Sequence, residues 1–270
     1  MDSLKCYAFK EGYRFETMEE HISGILRYLG EIWEYKAFLL KYEKTLGVER
    51  DILDLLVKLA VILHDAGKSA KHYQERCERG DCTSFPYHYA ISARIAIQLV
   101  DELDVPILRE LSRMRSYKPL FTALYVSVIV MPTLLHHYAR ITEESLARAI
   151  EATRKINEVE FYEPCRAPYI RELSKLRRSS RASKELEMVV KNAIEIFSSG
   201  RIKLSSPLPL KNIGEIVGVT GKISPLTTLI EASTGILNIC DGRVAHKNRK
   251  ERYPQGPLSK NYHARAILVL

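Results

Sequence analysis

DILDLLVKLAVILHDAGK, residues 51–68, reads as one buried helix that runs into a polar end. Ile52, Leu55, Leu56, Leu59, Ala60, Ile62 and Leu63 recur at helical spacing and cover more than one face, so the helix is expected to be enclosed on most sides. Gly67 suits its C-terminal cap, which puts His64 and Asp65 in the last turn.

The same period continues on both sides. Thr17 and Glu20 form a capping-box pattern ahead of Ile22, Ile25, Leu26 and Leu29, so His21 belongs to the first turn of an amphipathic helix. Pro86 opens a helix through about Val100 with His88 in its first turn, and the apolar run Leu120 to Leu135 leads into His136 and His137. Further helices are expected at 143–156, 169–177, 183–198 and about 227–240. Two segments look extended, Leu4 to Phe9 and Ala264 to Leu270, and they could pair as a small terminal sheet. The expected fold is therefore mainly α, a helical bundle with a small β element from the chain termini. It makes one domain over residues 1–270, in which 198–226 is a Gly-, Pro- and Ser-rich connection with a short strand at Glu215 to Val219. No repeat or low-complexity tract interrupts it.

A chain of 270 residues, 46% hydrophobic, can bury one good core. No stretch approaches the roughly 18 apolar residues of a membrane span, and Met1 to Lys10 holds no apolar signal core, so a cytoplasmic protein with no membrane partner is expected. Five cysteines at irregular spacing argue against a secreted disulfide framework. Cys77 and Cys82, the one close pair, leave open a zinc site with further ligands such as His72, or a disulfide. Three Gln and six Asn beside abundant Lys, Arg, Glu and Tyr match the bias of thermophiles, the setting in which an intracellular disulfide persists.

The net charge of +8 is uneven: residues 1–135 carry 18 Lys and Arg against 19 Asp and Glu, and residues 136–270 carry 23 against 14. A basic half suggests a polyanionic partner, with a solvated, salt-bridged surface as the alternative. Two basic runs stand out, Arg166, Arg171, Lys175, Arg177, Arg178, Arg181, Lys184 and Arg243, Lys247, Arg249, Lys250, Arg252. With Tyr169 and Tyr253 for stacking, they could line a single-strand path.

In order, the chain offers His21, His64-Asp65, His88, His136-His137 and Asp241, each at or near the end of an expected helix. A lone histidine on a helix is ordinarily a hydrogen-bonded or solvated side chain. Two adjacent imidazoles at the end of an apolar run are harder to explain that way, since they put polar groups where burial is costly. Converging helix ends would bring imidazoles and carboxylates together, the ligand set of divalent Mn, Fe, Co, Ni or Zn, and a carboxylate can bridge two ions.

Ile62-Leu63-His64-Asp65-Ala66-Gly67-Lys68 resembles the HDxGK signature of HD-superfamily nucleases. With His21, His88, His136-His137 and Asp241 the chain resembles, over about residues 17–245, the stand-alone HD nuclease subunit of type I CRISPR-associated interference systems. The resemblance implies an HD-domain helical bundle and two divalent transition-metal ions, Mn, Fe, Co or Ni ahead of Mg or Zn. One ion would lie on His21, His64, Asp65 and Asp241, the other on Asp65, His88, His136 and His137. Asp65 would bridge and Lys68 would face the scissile phosphate, a role that suits its charge. The family follows its final aspartate with a hydroxyl residue one turn on, whereas Val244 and Ala245 follow Asp241 here. Gly218 to Lys222 faintly resembles a P-loop, but Ile216 stands where the first glycine is required and Ile223 where Ser or Thr binds magnesium.

The expected function is a metal-dependent phosphodiesterase of the HD type cutting single-stranded DNA, as endo- or exonuclease. Its implied partners are a separate DNA helicase subunit and an RNA-guided surveillance complex. Arg243, Lys247, Arg249, Lys250 and Arg252 are expected to hold the DNA backbone beside the site. Two other readings stand beside this one: an HD nucleotide phosphohydrolase or cyclic-nucleotide phosphodiesterase, which needs a closed pocket for one nucleotide, and a nonenzymatic scaffold that recruits the helicase, its metals structural.

Overall fold

Thr17 starts the helical part of the chain: its hydroxyl accepts from the Glu20 amide at 3.2 Å, and the Glu20 carboxylate accepts from the Thr17 amide at 3.1 Å, closing the capping box. The computed structural model describes residues 4–80, 82–100, 121–137, 142–180, 183–204 and 225–251, without the side chains of 250 and 251. Helix α1 spans Met18–Glu31 and α2 Trp33–Leu46, which Gly47 closes at φ 64° with its N–H on the Glu43 carbonyl. Helix α3, Arg50–Leu63, buries Leu53, Leu55, Leu56, Val57 and every residue from Leu59 to Leu63. Such an apolar helix is stable only when other elements wrap it. It packs against α1, α2, the segment after Phe121 and the two longer helices α9 and α11 described below.

A 3₁₀ turn, Ala66–Ser69, follows α3, then α4, Lys71–Arg79, and α5, His88–Gln98. The apolar run before His136 is α6, Phe121–Tyr125, a π turn, Val126–Val130, and α7, Met131–Leu135. Pro132, which has no N–H to donate, lies two residues after the widened turn. Helices α8, Glu143–Arg154, α9, Glu163–Ser179, and α10, Lys184–Ser199, come next, and α11, Pro225–His246, leads into a second π turn, Lys247–Glu251. Helix α9 begins at Glu163 rather than at 169, because Pro164 sits in the first turn, where a missing N–H costs nothing. Helix α11 runs past the expected end, so Asp241 lies inside it rather than at its terminus.

Among the described residues the N-terminal extended segment pairs with the strand that follows it. Strand β1, Tyr7–Glu11, pairs antiparallel with β2, Arg14–Thr17, in a hairpin closed by Gly12 at φ 57° and Tyr13. Residues 264–270 and the expected strand at 215–219 lie outside the described residues. A second two-stranded sheet, β3, Glu158–Glu160, with β4, Arg201–Lys203, follows Gly200, whose φ of 78° turns the chain out of α10. The fold is mainly α with two small sheets among the described residues, whose buried apolar side chains form a single cluster.

The cysteine reading needs correction. Cys6 is bonded to Cys165, tying β1 to α9 across 159 residues of sequence, and Cys77 to Cys82, which settles that pair as a disulfide rather than a zinc site. Cys240 is buried and free. Nothing in the spacing pointed to the long-range bond. Among the described residues no helix is long and apolar enough to cross a membrane.

Candidate metal centre

Four histidines point one ring nitrogen at a fixed acceptor and leave the other facing a shared centre. His64 Nδ1 lies 2.7 Å from the Val61 carbonyl, His88 Nδ1 2.5 Å from Phe85 O and His136 Nδ1 2.6 Å from Thr133 O. Each acceptor is three residues back, at a helix end. His21 Nδ1 instead lies 2.9 Å from the buried Glu16 carboxylate on β2. An Nδ1–H held this way leaves Nε2 as a lone-pair donor with a set direction.

All four Nε2 atoms converge on Asp65, in the tight link between α3 and the 3₁₀ turn. Oδ2 is 3.3 Å from His21 Nε2 and 3.4 Å from His64 Nε2, and Oδ1 is 3.2 Å from His88 Nε2 and 3.6 Å from His136 Nε2. Asp241 Oδ1 adds a carboxylate 3.2 Å from His21 Nε2, and His137 Nε2 lies 3.1 Å from His88 Nε2. Every expected ligand is thus in one cluster, with three on each side of Asp65. His21, His64 and Asp65 could hold a metal ion, as could His88, His136 and His137: within each group the ligand atoms lie within 4.8 Å of one another.

The donor set fits a cation on a second count. His21 Nε2, His64 Nε2, His136 Nε2 and Asp65 Oδ1 are buried and lack a hydrogen-bond partner. Buried polar atoms without partners are costly, and here they face one another.

The backbone is shaped to allow this. A Cβ on Gly67 would meet the His88 carbonyl oxygen at 2.4 Å, so glycine lets the first turn of α5 close onto the HDxGK segment. Its amide donates to Ser92 Oγ at 2.8 Å. This close approach, rather than the expected helix cap, explains Gly67. Likewise a Cβ on Gly24 of α1 would lie 2.7 Å from Val244 Cγ1, so the glycine lets Val244 pack α11 closely onto α1.

Electrostatics divide the cluster. Burial works to lower the pKa of His21, but the Glu16 charge and the nearby carboxylates of Asp241 and Asp65 outweigh it and raise it well above the usual value. Burial works to raise Asp65, yet Lys68 and the surrounding histidines hold its carboxyl far down, and His21 does the same for Asp241. Glu16 is held at about 2: His21, Arg249 and Asn248 overcome burial. On the other side, burial pushes His88 down to about 4, and burial with the neighbouring His136 and His88 lowers His137. Those two imidazoles are neutral, as metal ligands must be.

Lys68 does not face an open groove. It is buried, its ammonium 2.6 Å from Asp65 Oδ2 and over the Phe85 ring. The basic runs also need correction. Arg249 donates to Glu16 at 2.7 Å and lies over Phe9, so its guanidinium is committed to the buried carboxylate although the side chain is partly exposed. Arg243 and Lys247 are exposed, the Lys250 side chain is not described, and Arg252 lies outside the described residues with Tyr253 and Arg181. In the other run Arg166 caps α10 through the Phe197 and Ser198 carbonyls, Arg171 pairs with Glu19 and Lys175 with Glu172. Tyr169 is fully buried and stacks on Phe197, which removes it as a base-stacking platform. Asp241 pairs with His21, not with Arg243.

Glu16 was not singled out in the sequence. The available signal was its place in a short strand, next to the capping Thr17, where alternation turns it inward. A surface cavity of about 570 Å³ lined by Lys71, His72, Glu75 and Glu158 among others includes none of the cluster's ligands. Comparison with protein-family models gives no match to this chain, and comparison with curated proteins gives none.

Proposed function

We propose that this chain is a metal-dependent phosphodiester hydrolase of the HD type that cuts single-stranded DNA, working with a separate helicase of an RNA-guided interference system. The observation that supports it most is the set of buried Nε2 atoms distributed between the two oxygens of Asp65. In this reading His21, His64, Asp65 and Asp241 hold one ion, and Asp65, His88, His136 and His137 hold the other, with Mn, Fe, Co or Ni preferred on the imidazole-rich donor set. Such ions supply Lewis acidity toward a phosphodiester and lower the pKa of water at the site.

The protein's own residues set the rest. The Nδ1 contacts fix each ring, and the apolar shell of α3 and α5 keeps bulk water from the buried side of the cluster. Lys68, buried beside Asp65, balances the charge of that carboxylate. Arg243 and Lys247, exposed one turn apart on α11 and just beyond it, supply positive charge on the side of Asp241. Substrate specificity and the helicase partner rest on the resemblance of the HDxGK segment and its ordered histidines.

The test is to incubate purified protein with Mn, Ni or Co and labelled single-stranded DNA, duplex DNA, deoxynucleoside triphosphates or cyclic nucleotides. Metal-dependent cleavage of single strands, with duplex cut only when a helicase and ATP are present, is the expected result. Turnover confined to mononucleotides would move the protein to the nucleotide phosphohydrolases, and no turnover with any substrate would leave a scaffold.

A further inference from the structure

His21 differs from the other three oriented histidines in one respect. His64, His88 and His136 use a main-chain carbonyl three residues back, available because each lies at a helix end. His21 lies inside the first turns of α1, where the carbonyl three residues back belongs to the helix ladder, so a side chain has to orient the ring. That side chain is Glu16. It is completely buried, and three groups converge on it: Oε1 accepts from Asn248 Nδ2 at 2.8 Å and lies 2.9 Å from His21 Nδ1, and Oε2 accepts from Arg249 Nε at 2.7 Å. Asn248 and Arg249 are 232 and 233 residues away in sequence, on the π turn Lys247–Glu251. A buried carboxylate persists only if its lone pairs are met, and here the C-terminal turn does that.

We propose that Glu16 is a positioning residue for the ion on the His21 side and that Asn248 and Arg249 hold it in place, making the turn after α11 part of that ion's site. The inference rests on the metal-centre reading above. A carboxylate behind a ligating imidazole fixes its tautomer and makes Nε2 a stronger donor, and loss of such a partner typically weakens metal binding by about 10- to 100-fold. The effect is confined to one side, because the hydrogen bonds of Glu16 go to His21, Asn248 and Arg249 and to none of His88, His136 and His137. It also links the two ends of the chain: the turn that carries Lys247 toward solvent is fastened to the carboxylate behind His21.

The experiment titrates full-length, metal-free protein with Co²⁺, following heat and visible absorption, for the parent and for Glu16→Gln, Arg249→Met, Asn248→Ala and Asp241→Asn. The parent is expected to bind two ions, and Asp241→Asn identifies which one belongs to the His21 side. In Glu16→Gln that ion should weaken about 10- to 100-fold with a changed absorption band, while the other keeps its affinity and spectrum. Arg249→Met and Asn248→Ala should weaken the same ion by less, and they carry the test should Glu16→Gln fail to fold. Unchanged binding of both ions in the folded variants overturns the positioning role and leaves the metal reading intact. Equal weakening of both ions overturns it too, since Glu16 would then support the bundle generally. A parent protein that binds no ion defeats the metal reading, and this inference with it.

Discussion

Glu16, Asp65 and Asp241 place three carboxylates around the His21 imidazole, and the proton on that imidazole stands where a cation is expected. With the pKa of His21 raised, an incoming ion has to displace this proton, so affinity on the His21 side should rise with pH, by about tenfold per unit for as long as His21 stays protonated in the metal-free state. His88, held near 4, and His137, also lowered by burial, are neutral above about pH 5, so neither opposes the ion on their side with a proton between about pH 5.5 and 8, and its affinity should climb less steeply with pH than that of the His21-side ion. Metal titrations at several pH values read this directly, and parallel slopes for both ions would contradict it. The stability of the metal-free protein carries the same signs. The raised His21 contributes fully below its unfolded value of 6.5 and loses that contribution as pH climbs through its folded pKa, whereas Glu16 contributes above 4.5 and loses it as pH falls toward 2. Every proposed metal ligand was legible in the sequence, because adjacent or helix-end histidines mark themselves. Glu16 was not, because one glutamate in a short strand looks like any solvated residue until the distant Asn248 and Arg249 are seen to surround it.

Among the elements, α5 and the 3₁₀ turn depend on each other through Gly67. Gly67→Ala would drive a methyl group into the His88 carbonyl and is expected to displace the start of α5, costing about 1–3 kcal/mol and weakening the ion held by His88, His136 and His137. Thermal melting and metal titration check this, and an unchanged His88-side ion would mean the close approach has no bearing on the site. Helix α11 carries the other element-scale prediction. Arg243 and Lys247 are exposed, while Arg249 is committed to Glu16, so Arg243→Ala with Lys247→Ala should weaken single-stranded DNA binding alike for all sequences and flatten its salt dependence by about 0.7 for each phosphate no longer neutralised. Fluorescence anisotropy over a salt series measures it, and an unchanged slope would locate the substrate path elsewhere. The helices were largely legible from their period, but their ends were less so. Helix α9 starts earlier because Pro164 falls in its first turn and the helix runs on through Pro168, and α11 runs on past Asp241 because nothing breaks it. An extended segment does not reveal its partner: the one that includes Tyr7 to Phe9 pairs with Arg14 to Thr17 through Gly12, and the expected partner at 264–270 lies outside the described residues.

At the scale of the whole molecule the described residues share one core, with the histidine and aspartate cluster where α1, α3, α5, α7 and α11 meet, and two disulfides fasten the periphery. Cys6–Cys165 closes a long loop between the N-terminal strand and α9, so Cys6→Ala is expected to lower stability by about 2–5 kcal/mol, measured by denaturant unfolding, while leaving metal affinity in place. A loss of metal in that variant would show the hairpin, and with it Glu16, to depend on the bond. Two disulfides agree with an oxidising compartment or, as the scarcity of amides suggests, with a hyperthermophilic cell. The ordered ligand set could be followed along the chain because nearly every member sits at an element's edge, whereas the long-range bond was invisible, since pairing across 159 residues leaves no local trace. The central claim is that Asp65 joins two ion sites, and metal content is its most direct measure. Asp65→Asn suits the purpose better than Asp65→Ala, which would leave the buried Lys68 ammonium unpaired at a cost of about 3–5 kcal/mol. Equilibrium dialysis of the parent and Asp65→Asn against Mn²⁺, followed by elemental analysis, should give two ions per folded chain for the parent and fewer than one for the variant, with cleavage reduced to background. Two ions retained by a folded Asp65→Asn protein, or none bound by the parent, would contradict the account.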